Sequence, residues 1–168
     1  EYGARMGVMP RDGGDADVQW FDIDPCYIFH TMNAYEDAQG RVVLDGCRMP
    51  GIWENGFNAL DALPVGIPWQ WILDLNTGSV SEGPLTDMPL DFPMIDLRRQ
   101  GQEHRVNYGL KLADHTPEYP MHPEGILKHD RLTGQMEIWD CGYGVQPDEA
   151  LFVPDPSSTE EDAGWLLS

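Results

Sequence analysis

The chain has 168 residues, of which 29 are acidic and 10 are basic, so its formal net charge is −19. This charge repels phosphate backbones, and the basic residues form no stripe that could follow a nucleic acid, so we expect no nucleic-acid binding. Eighteen glycines and 14 prolines interrupt the sequence, which shows no long helical stripe. The composition therefore predicts an all-β class of short strands joined by turns.

No segment approaches the ~20 consecutive apolar residues of a membrane-spanning helix, so no transmembrane segment is expected. Cys26, Cys47 and Cys141 are odd in number and widely spaced, which fits neither a disulfide framework nor a CxxC metal clip. We therefore predict a reducing compartment, the cytoplasm. Both ends look cut, which predicts that residues 1–168 are a fragment of a single domain.

Hairpins are the first structural prediction. Residues 27–36 and 41–45 look like two strands joined by the turn Asp37-Ala38-Gln39-Gly40. Two further pairs of strand-like stretches, within 71–80 and 127–139, each surround a DxxTG turn. The aspartate of such a turn accepts hydrogen bonds from backbone amides ahead of it, and the glycine adopts a positive φ.

The spacing of the two DxxTG turns indicates a repeat. Gly78 and Gly134 are 56 positions apart, close to the period of β-propeller blades. Because this turn also occurs in other hairpins, spacing alone does not decide between a propeller and a sandwich. Irregular connections at 49–68, around 91–93 and at 115–125 are expected to cap one face, with a short helix around 53–63.

His30 is the most informative polar residue because it lies in a strand of mainly apolar and aromatic residues. A buried imidazole needs partners for both nitrogens. Considered alone, His30 is better explained as a core histidine bonded to a carbonyl than as a metal ligand, since one histidine defines no coordination sphere.

The other histidines give weaker signals. His115, His122 and His129 recur every seven residues, but intervening prolines forbid the helix that would align them. They are therefore interpreted as exposed or loop residues, with a shared metal site as the minor alternative. His104 is also predicted to lie at the surface.

Glu149 closes a turn-like segment and is followed at once by the apolar stretch 150–153. A carboxylate at the mouth of a buried strand needs a partner, although a solvated glutamate at the rim is the simpler reading of the sequence alone. The acidic group 160–162 is predicted to be a solvated turn.

Several strings resemble those of the carotenoid cleavage oxygenases, which include the lignostilbene dioxygenases and the retinal pigment epithelium isomerase. The most specific string is Phe29-His30 followed by Asn33-Ala34-Tyr35-Glu36-Asp37. The other matching strings are GVMPR at 7–11, WF at 20–21, CYIFH at 26–30, DFPMID at 91–96, the hairpin with Lys128, Asp130 and Thr133-Gly134, EALFVP at 149–154 and EDAGWLLS at 161–168. The resemblance covers essentially the whole chain in the family's order.

This resemblance implies a seven-bladed β-propeller, of which the chain would supply about three antiparallel blades. It implies an axial Fe(II) held by four histidines, with His30 as the third, and Glu149 as the carboxylate that receives the Nδ1–H of His30. The implied reaction is cleavage by O2 of a conjugated double bond in a carotenoid, apocarotenoid or stilbene, giving carbonyl products.

The chain also departs from the family pattern. Met94 stands where relatives commonly have arginine, and the other three iron histidines match no position here. We therefore expect the fragment to be inactive alone and to require the remainder of the propeller. A metal-free propeller that serves as a binding scaffold stays open as an alternative, as does a metal-binding module built on His115, His122 and His129.

Overall fold

A computed structural model of the chain describes residues 3–51, 65–112 and 123–168. These ranges contain twelve strands and two short 3-10 turns, Asp15–Asp17 and Leu97–Arg99. The strands are β1 (Ala4–Val8), β2 (Gln19–Ile23), β3 (Tyr27–Glu36), β4 (Val42–Met49), β5 (Ile67–Leu73), β6 (Val80–Pro84), β7 (Leu90–Ile95), β8 (Val106–Leu112), β9 (Pro123–Asp130), β10 (Gln135–Asp140), β11 (Leu151–Pro154) and β12 (Gly164–Leu167).

The strands form two four-stranded antiparallel sheets in chain order, each built like a propeller blade. The first sheet has the order β3-β4-β5-β6, and the second sheet has the order β7-β8-β9-β10. Two-stranded ribbons flank them, β1-β2 before the first sheet and β11-β12 after the second. The prediction of an all-β chain of consecutive antiparallel blades is confirmed.

The predicted turns are present with the expected geometry. Asp74 Oδ1 accepts hydrogen bonds from the amides of Asn76 and Thr77 at 2.8 and 3.1 Å. Asp130 Oδ1 accepts in the same way from the second and third residues after it, at 2.9 and 3.3 Å. Gly78 and Gly134 have φ values of 73° and 71°, which a residue without a Cβ adopts readily.

The two sheets pack through β7, which lies against β3, β4 and β5. Cys47 from the first sheet joins Leu90 and Leu127 from the second sheet in one buried cluster. Polar side chains that leave β3 or β7 on this side therefore meet at the junction between two blades.

The predicted helix at 53–63 lies outside the described residues. Within the described part of the chain, no helix is long and apolar enough to cross a membrane.

Candidate metal site

His30 lies in an irregular part of β3. The pairing of β3 with β4 shifts between Ile28 and Thr31 and again between Thr31 and Asn33. Such bulges add a residue to one strand and change the direction in which a side chain points. On β4, Gly46 allows the backbone to come close, since a Cβ built there would lie 3.2 Å from the carbonyl oxygen of His30. The local sequence thus sets the direction of the imidazole.

Asp91 on β7 is the hydrogen-bond partner of that imidazole. The distance between His30 Nδ1 and Asp91 Oδ1 is 2.9 Å, and Asp91 is only 1% exposed. The same oxygen accepts the backbone N–H of Phe92 at 2.8 Å. Because a carboxylate accepts hydrogen bonds, this geometry suits the neutral imidazole tautomer that carries its proton on Nδ1 and keeps the lone pair of Nε2.

Phe92 follows Asp91 at a second bulge, where the pairing of β7 with β8 shifts between Asp91 and Met94. It is the one residue other than glycine with a positive φ in the described part of the chain, at 51°. Its ring lies 4.7 Å from the His30 ring, measured between centroids. Strained backbone of this kind clusters at functional sites.

A thiol completes the surroundings of the carboxylate. Cys47 on β4 is fully buried, and burial, followed by the charge and hydrogen bond of Asp91, raises the pKa of its thiol. The thiol is therefore protonated and acts as a neutral neighbour of Asp91, with little nucleophilic character.

The site can supply one metal ligand. A histidine that gives Nδ1–H to a carboxylate and keeps Nε2 free is the usual arrangement for metal coordination. The His30 side chain is 39% exposed while Asp91 is buried, so the ring remains reachable on its unbonded edge. Among the described residues, no three histidine, cysteine, aspartate or glutamate side chains are grouped to hold a metal.

Glu149 is not brought to His30 by the contacts of the described residues. Its side chain is exposed, and its recorded hydrogen bond is made by its backbone N–H to Asp148 Oδ1 at 2.8 Å. The segment just before it nevertheless approaches the site, because Gln146, Pro147 and Asp148 line a cavity of about 350 Å³ together with Phe92. The family resemblance implied that Glu149 accepts the hydrogen bond of His30 Nδ1, but Asp91 occupies that position. A role for Glu149 stays a prediction.

Asp91 was missed as a site residue, although its string was among those that carry the family resemblance. The irregular connection predicted around 91–93 is wrong, because these residues belong to the bulged strand β7, where Asp91 is a polar residue among mainly apolar ones. Sequence alone could not show that two residues 61 positions apart meet.

Two histidines were predicted wrongly. His104 and His129 are both 4% exposed and not at the surface. His129 lies inside β9, where it is buried, and burial lowers its pKa. Burial and then the charge of Arg131 lower the pKa of His104 to about 3. His115 and His122 lie outside the described residues.

The acidic turn at 160–162 is also more than a solvated surface. Glu161 accepts the backbone N–H groups of Arg105 and Val106 at 2.6 and 2.7 Å. Lys128 donates to Asp162 at 2.9 Å. These hydrogen bonds attach the turn that precedes β12 to the second sheet.

Known proteins resemble the chain throughout its length. The family model described as retinal pigment epithelial membrane protein, RPE65, matches residues 1–168. A carotenoid cleavage oxygenase of Mycobacterium tuberculosis is 33% identical, over 99% of this chain and 34% of that protein. A carotenoid 9,10(9',10')-cleavage dioxygenase of Crocus sativus is 30% identical, over 98% of this chain and 33% of that protein.

Two solved structures match almost the whole chain. The crystal structure of a D477G ACO/RPE65 chimera has a TM-score of 0.84 at 25% identity and covers 98% of this chain and 34% of its own. Cobalt-substituted ACO of Synechocystis has a TM-score of 0.81 at 25% identity, over 98% of this chain and 34% of its own.

The chain thus spans about a third of the length of the curated relatives it matches. The chain belongs to the RPE65 family, that of the carotenoid cleavage oxygenases.

Proposed function

We propose that the complete protein is a non-haem iron(II) dioxygenase to which this chain contributes the ligand His30. The reaction adds the two atoms of O2 across a conjugated double bond, which breaks to give two carbonyl products. The substrate would be a carotenoid, an apocarotenoid or a stilbene. The observation that carries the proposal is the pairing of His30 Nδ1 with the buried Asp91 in a chain of this family, while Nε2 has no hydrogen-bond partner among the described residues.

The chemistry of the donor supports iron. Neutral imidazole is a good ligand for ferrous iron, and a bound ferrous ion would supply the redox chemistry that lets O2 react with an alkene. The chain's own contributions are to bind through Nε2, to hold the imidazole in one orientation, and to keep water away with Phe92 and Phe29. The relative named as cobalt-substituted ACO supports the view that proteins of this family bind a metal.

Apolar surroundings support a polyene or stilbene as substrate. Tyr27, Phe29, His30 and Phe92 form a continuous aromatic row, in which the rings of Tyr27 and Phe29 lie 4.8 Å apart. Relatives named for cleavage of carotenoids, and an isoeugenol monooxygenase of Pseudomonas putida that is 28% identical, favour a conjugated apolar molecule.

The isolated chain is proposed to be inactive, because one imidazole holds iron weakly. The remaining three ligands would come from the remainder of the propeller. Exposed apolar side chains on β10 and β12 support this requirement, with Trp139 60% and Trp165 58% exposed. The free thiols of Cys26, Cys47 and Cys141 are consistent with the proposed cytoplasmic location.

The test compares two sets of histidine variants in the complete protein. His30→Ala should abolish iron retention, measured by elemental analysis of the purified protein, and with it the O2-dependent loss of a carotenoid or stilbene. The control is the double variant His115→Ala/His122→Ala, which should retain iron. Iron retained in His30→Ala would refute the proposal, and loss of iron in the double variant alone would favour the separate metal module. A complete protein that holds no iron at all would favour the binding scaffold.

A further inference from the structure

The two bulges on either side of His30 leave the register of β3 to be determined by other contacts. Three cross-strand pairs border the bulges: Ile28–Arg48, Thr31–Gly46 and Asn33–Asp45. Between each pair and the next, β3 has one residue more than β4. A slip of one residue turns a side chain to the opposite face of a sheet. The direction of His30 therefore depends on whatever holds the bulged segment in place.

Asn33 stands at the end of the second bulge and bonds to a different part of the fold. Its side chain is buried, with the residue 5% exposed. Asn33 Oδ1 accepts the backbone N–H of Gly101 at 3.1 Å. Asn33 Nδ2 donates to the carbonyl oxygen of Gln102 at 2.9 Å and to His104 Nδ1 at 3.2 Å. All three partners belong to the connection between β7 and β8, so this connection satisfies the whole buried amide group.

The contacts of Asn33 continue around a closed circuit. Arg131 Nη1 lies 3.1 Å from His104 Nε2 and donates to Asp45 Oδ2 at 2.8 Å. Asp45 is directly opposite Asn33 in the pairing of β3 with β4. We call these four side chains the junction ring: Asn33, His104, Arg131 and Asp45. The junction ring joins β3 to β4 through the second sheet, just where their direct pairing is interrupted.

The connection that holds Asn33 is itself fixed from the other side. Glu161, in the turn before β12, accepts the backbone N–H groups of Arg105 and Val106 at 2.6 and 2.7 Å. The connection is thus bonded to β3 near its middle and to the following ribbon near its end. Because both attachments constrain it, the connection offers Asn33 a fixed set of partners.

We propose that Asn33 is a positioning residue that anchors the register of β3 and thereby sets the direction of His30. Asn33 acts through the backbone of β3, three residues away from the imidazole. The anchoring belongs to the fold and is present before any metal binds. Only its benefit for metal coordination rests on the proposed function, so the two can be tested separately.

The first experiment measures hydrogen exchange of the backbone amides in the metal-free complete protein. In Asn33→Ser the side chain is too short to reach the connection. Residues 27–36 should therefore exchange roughly 10-fold faster or more, because buried polar groups lose their partners and β3 opens locally. The control Leu73→Ala truncates a buried apolar residue on β5 of the same sheet. It should not raise the exchange of β3 above that of β5. An exchange rate of β3 that is unchanged in Asn33→Ser would overturn the proposal.

The second experiment titrates the same proteins with Co(II) and follows its visible absorption. Asn33→Ser should bind Co(II) about 10-fold more weakly, as do proteins that lose a residue orienting a metal ligand. At saturation its absorption spectrum should also differ from that of the wild type, because the imidazole meets the metal at a different angle. Leu73→Ala should keep the wild-type affinity and spectrum, so a loss of stability alone would not imitate the result.

The combination of the two measurements separates this inference from the proposed function. If Asn33→Ser speeds the exchange of β3 while Co(II) binding stays the same, the anchoring is correct and His30 is not the ligand. If Asn33→Ser does not fold, the wild-type protein still decides. Gly101 is an exposed residue, yet its N–H should exchange as slowly as those of β3, because Asn33 Oδ1 accepts it. Rapid exchange of the Gly101 N–H in the wild type would overturn the proposal.

Discussion

His104 is a buried histidine whose surroundings keep it neutral. Asn33 Nδ2 lies 3.2 Å from its Nδ1, and Arg131 Nη1 lies 3.1 Å from its Nε2. Both neighbours are hydrogen-bond donors, and Arg131 is also positively charged. Since the neutral ring accepts a hydrogen bond at only one nitrogen, a second proton there would displace that bond and place a positive charge beside Arg131 in a buried position.

This burial predicts that the protein becomes less stable in mild acid. The folded-state pKa of His104 is about 3 and its ordinary value is 6.5, so between these values the unfolded chain binds a proton that the folded chain does not. The contribution of neutral His104 to the unfolding free energy is fully present above about pH 6.5 and is lost as the pH falls toward 3. His104→Gln should reduce the slope of unfolding free energy against pH by about 1 kcal/mol per pH unit at pH 5.

Urea unfolding at several pH values between 7 and 5 measures this slope. His129 contributes in the same direction, since burial also lowers its pKa, and it is left in place in both proteins. Identical slopes for the wild type and His104→Gln would contradict the prediction.

At the scale of single residues, the sequence showed which side chains were unusual, but it did not show which residues they contact. His30 was recognisable because it interrupts an apolar strand, and the family strings pointed to it again. Asp91 interrupts its own strand in the same way, but its contact with His30 depends on two bulges and on the packing of two sheets. We predicted a surface position for His104 because its neighbours in sequence are polar. In the folded chain, however, residues of the first and second sheets surround it.

Asp45 connects the elements of the two sheets through a buried ion pair. It lies on β4 and is fully buried. Arg131, in the turn after β9, donates to its Oδ2 at 2.8 Å, and Gln70 on β5 donates to its Oδ1 at 3.0 Å. Burial raises the pKa of Asp45, and the charge of Arg131 opposes this shift.

We expect Arg131→Met to destabilise the protein strongly, because it leaves the Asp45 carboxylate buried without its cation. Loss of one partner of a buried pair typically costs about 3–5 kcal/mol of unfolding free energy. Replacing both partners, as in Asp45→Leu/Arg131→Met, should restore much of that loss, since no charge is then left buried. Urea unfolding of both variants at neutral pH provides the measurement.

The chain offers a matched control in Arg105, which pairs with Asp130 at 2.6 Å but is exposed. Arg105→Met should have a much smaller effect than Arg131→Met, because solvent screens the exposed pair. Equal losses in the two single variants would show that burial of Asp45 is not the cause.

Secondary-structure elements were predictable where local chemistry determines them. The DxxTG turns combine a side-chain acceptor with a glycine of positive φ, and both requirements are visible in five consecutive residues. Bulges depend on the opposite strand and carry no comparable local signal. The hairpins were therefore predicted correctly, while the irregularities that direct His30 and Asp91 were not.

The net charge of −19 acts on the whole molecule. Uncompensated acidic groups repel each other more strongly in the compact state than in the unfolded chain, so they lower stability. Added salt screens this repulsion, with a Debye length of about 3 Å at 1 M. Ion pairs such as Lys128–Asp162 weaken at the same time, but the unpaired acidic groups outnumber them.

We therefore predict that the melting temperature at neutral pH rises as KCl is added. The control is the same titration near pH 4.2, the isoelectric point, where the net charge vanishes and the increase should disappear. A melting temperature that falls with salt at neutral pH would show that the surface ion pairs outweigh the repulsion. Circular dichroism or calorimetry gives the measurement.

The blade architecture was predictable at this scale because a turn repeated at blade spacing and because the family strings followed one another in order.

The contact of β3 with β7 at the junction of two blades has a consequence for recombination between related genes. His30 and Asp91 are encoded in separate stretches, so recombination between diverged relatives with a crossover between β6 and β7 would combine a histidine from one parent with an acid from the other. Functional hybrids should keep both stretches from the same parent wherever the two lineages differ in the acid or in the bulge that presents it.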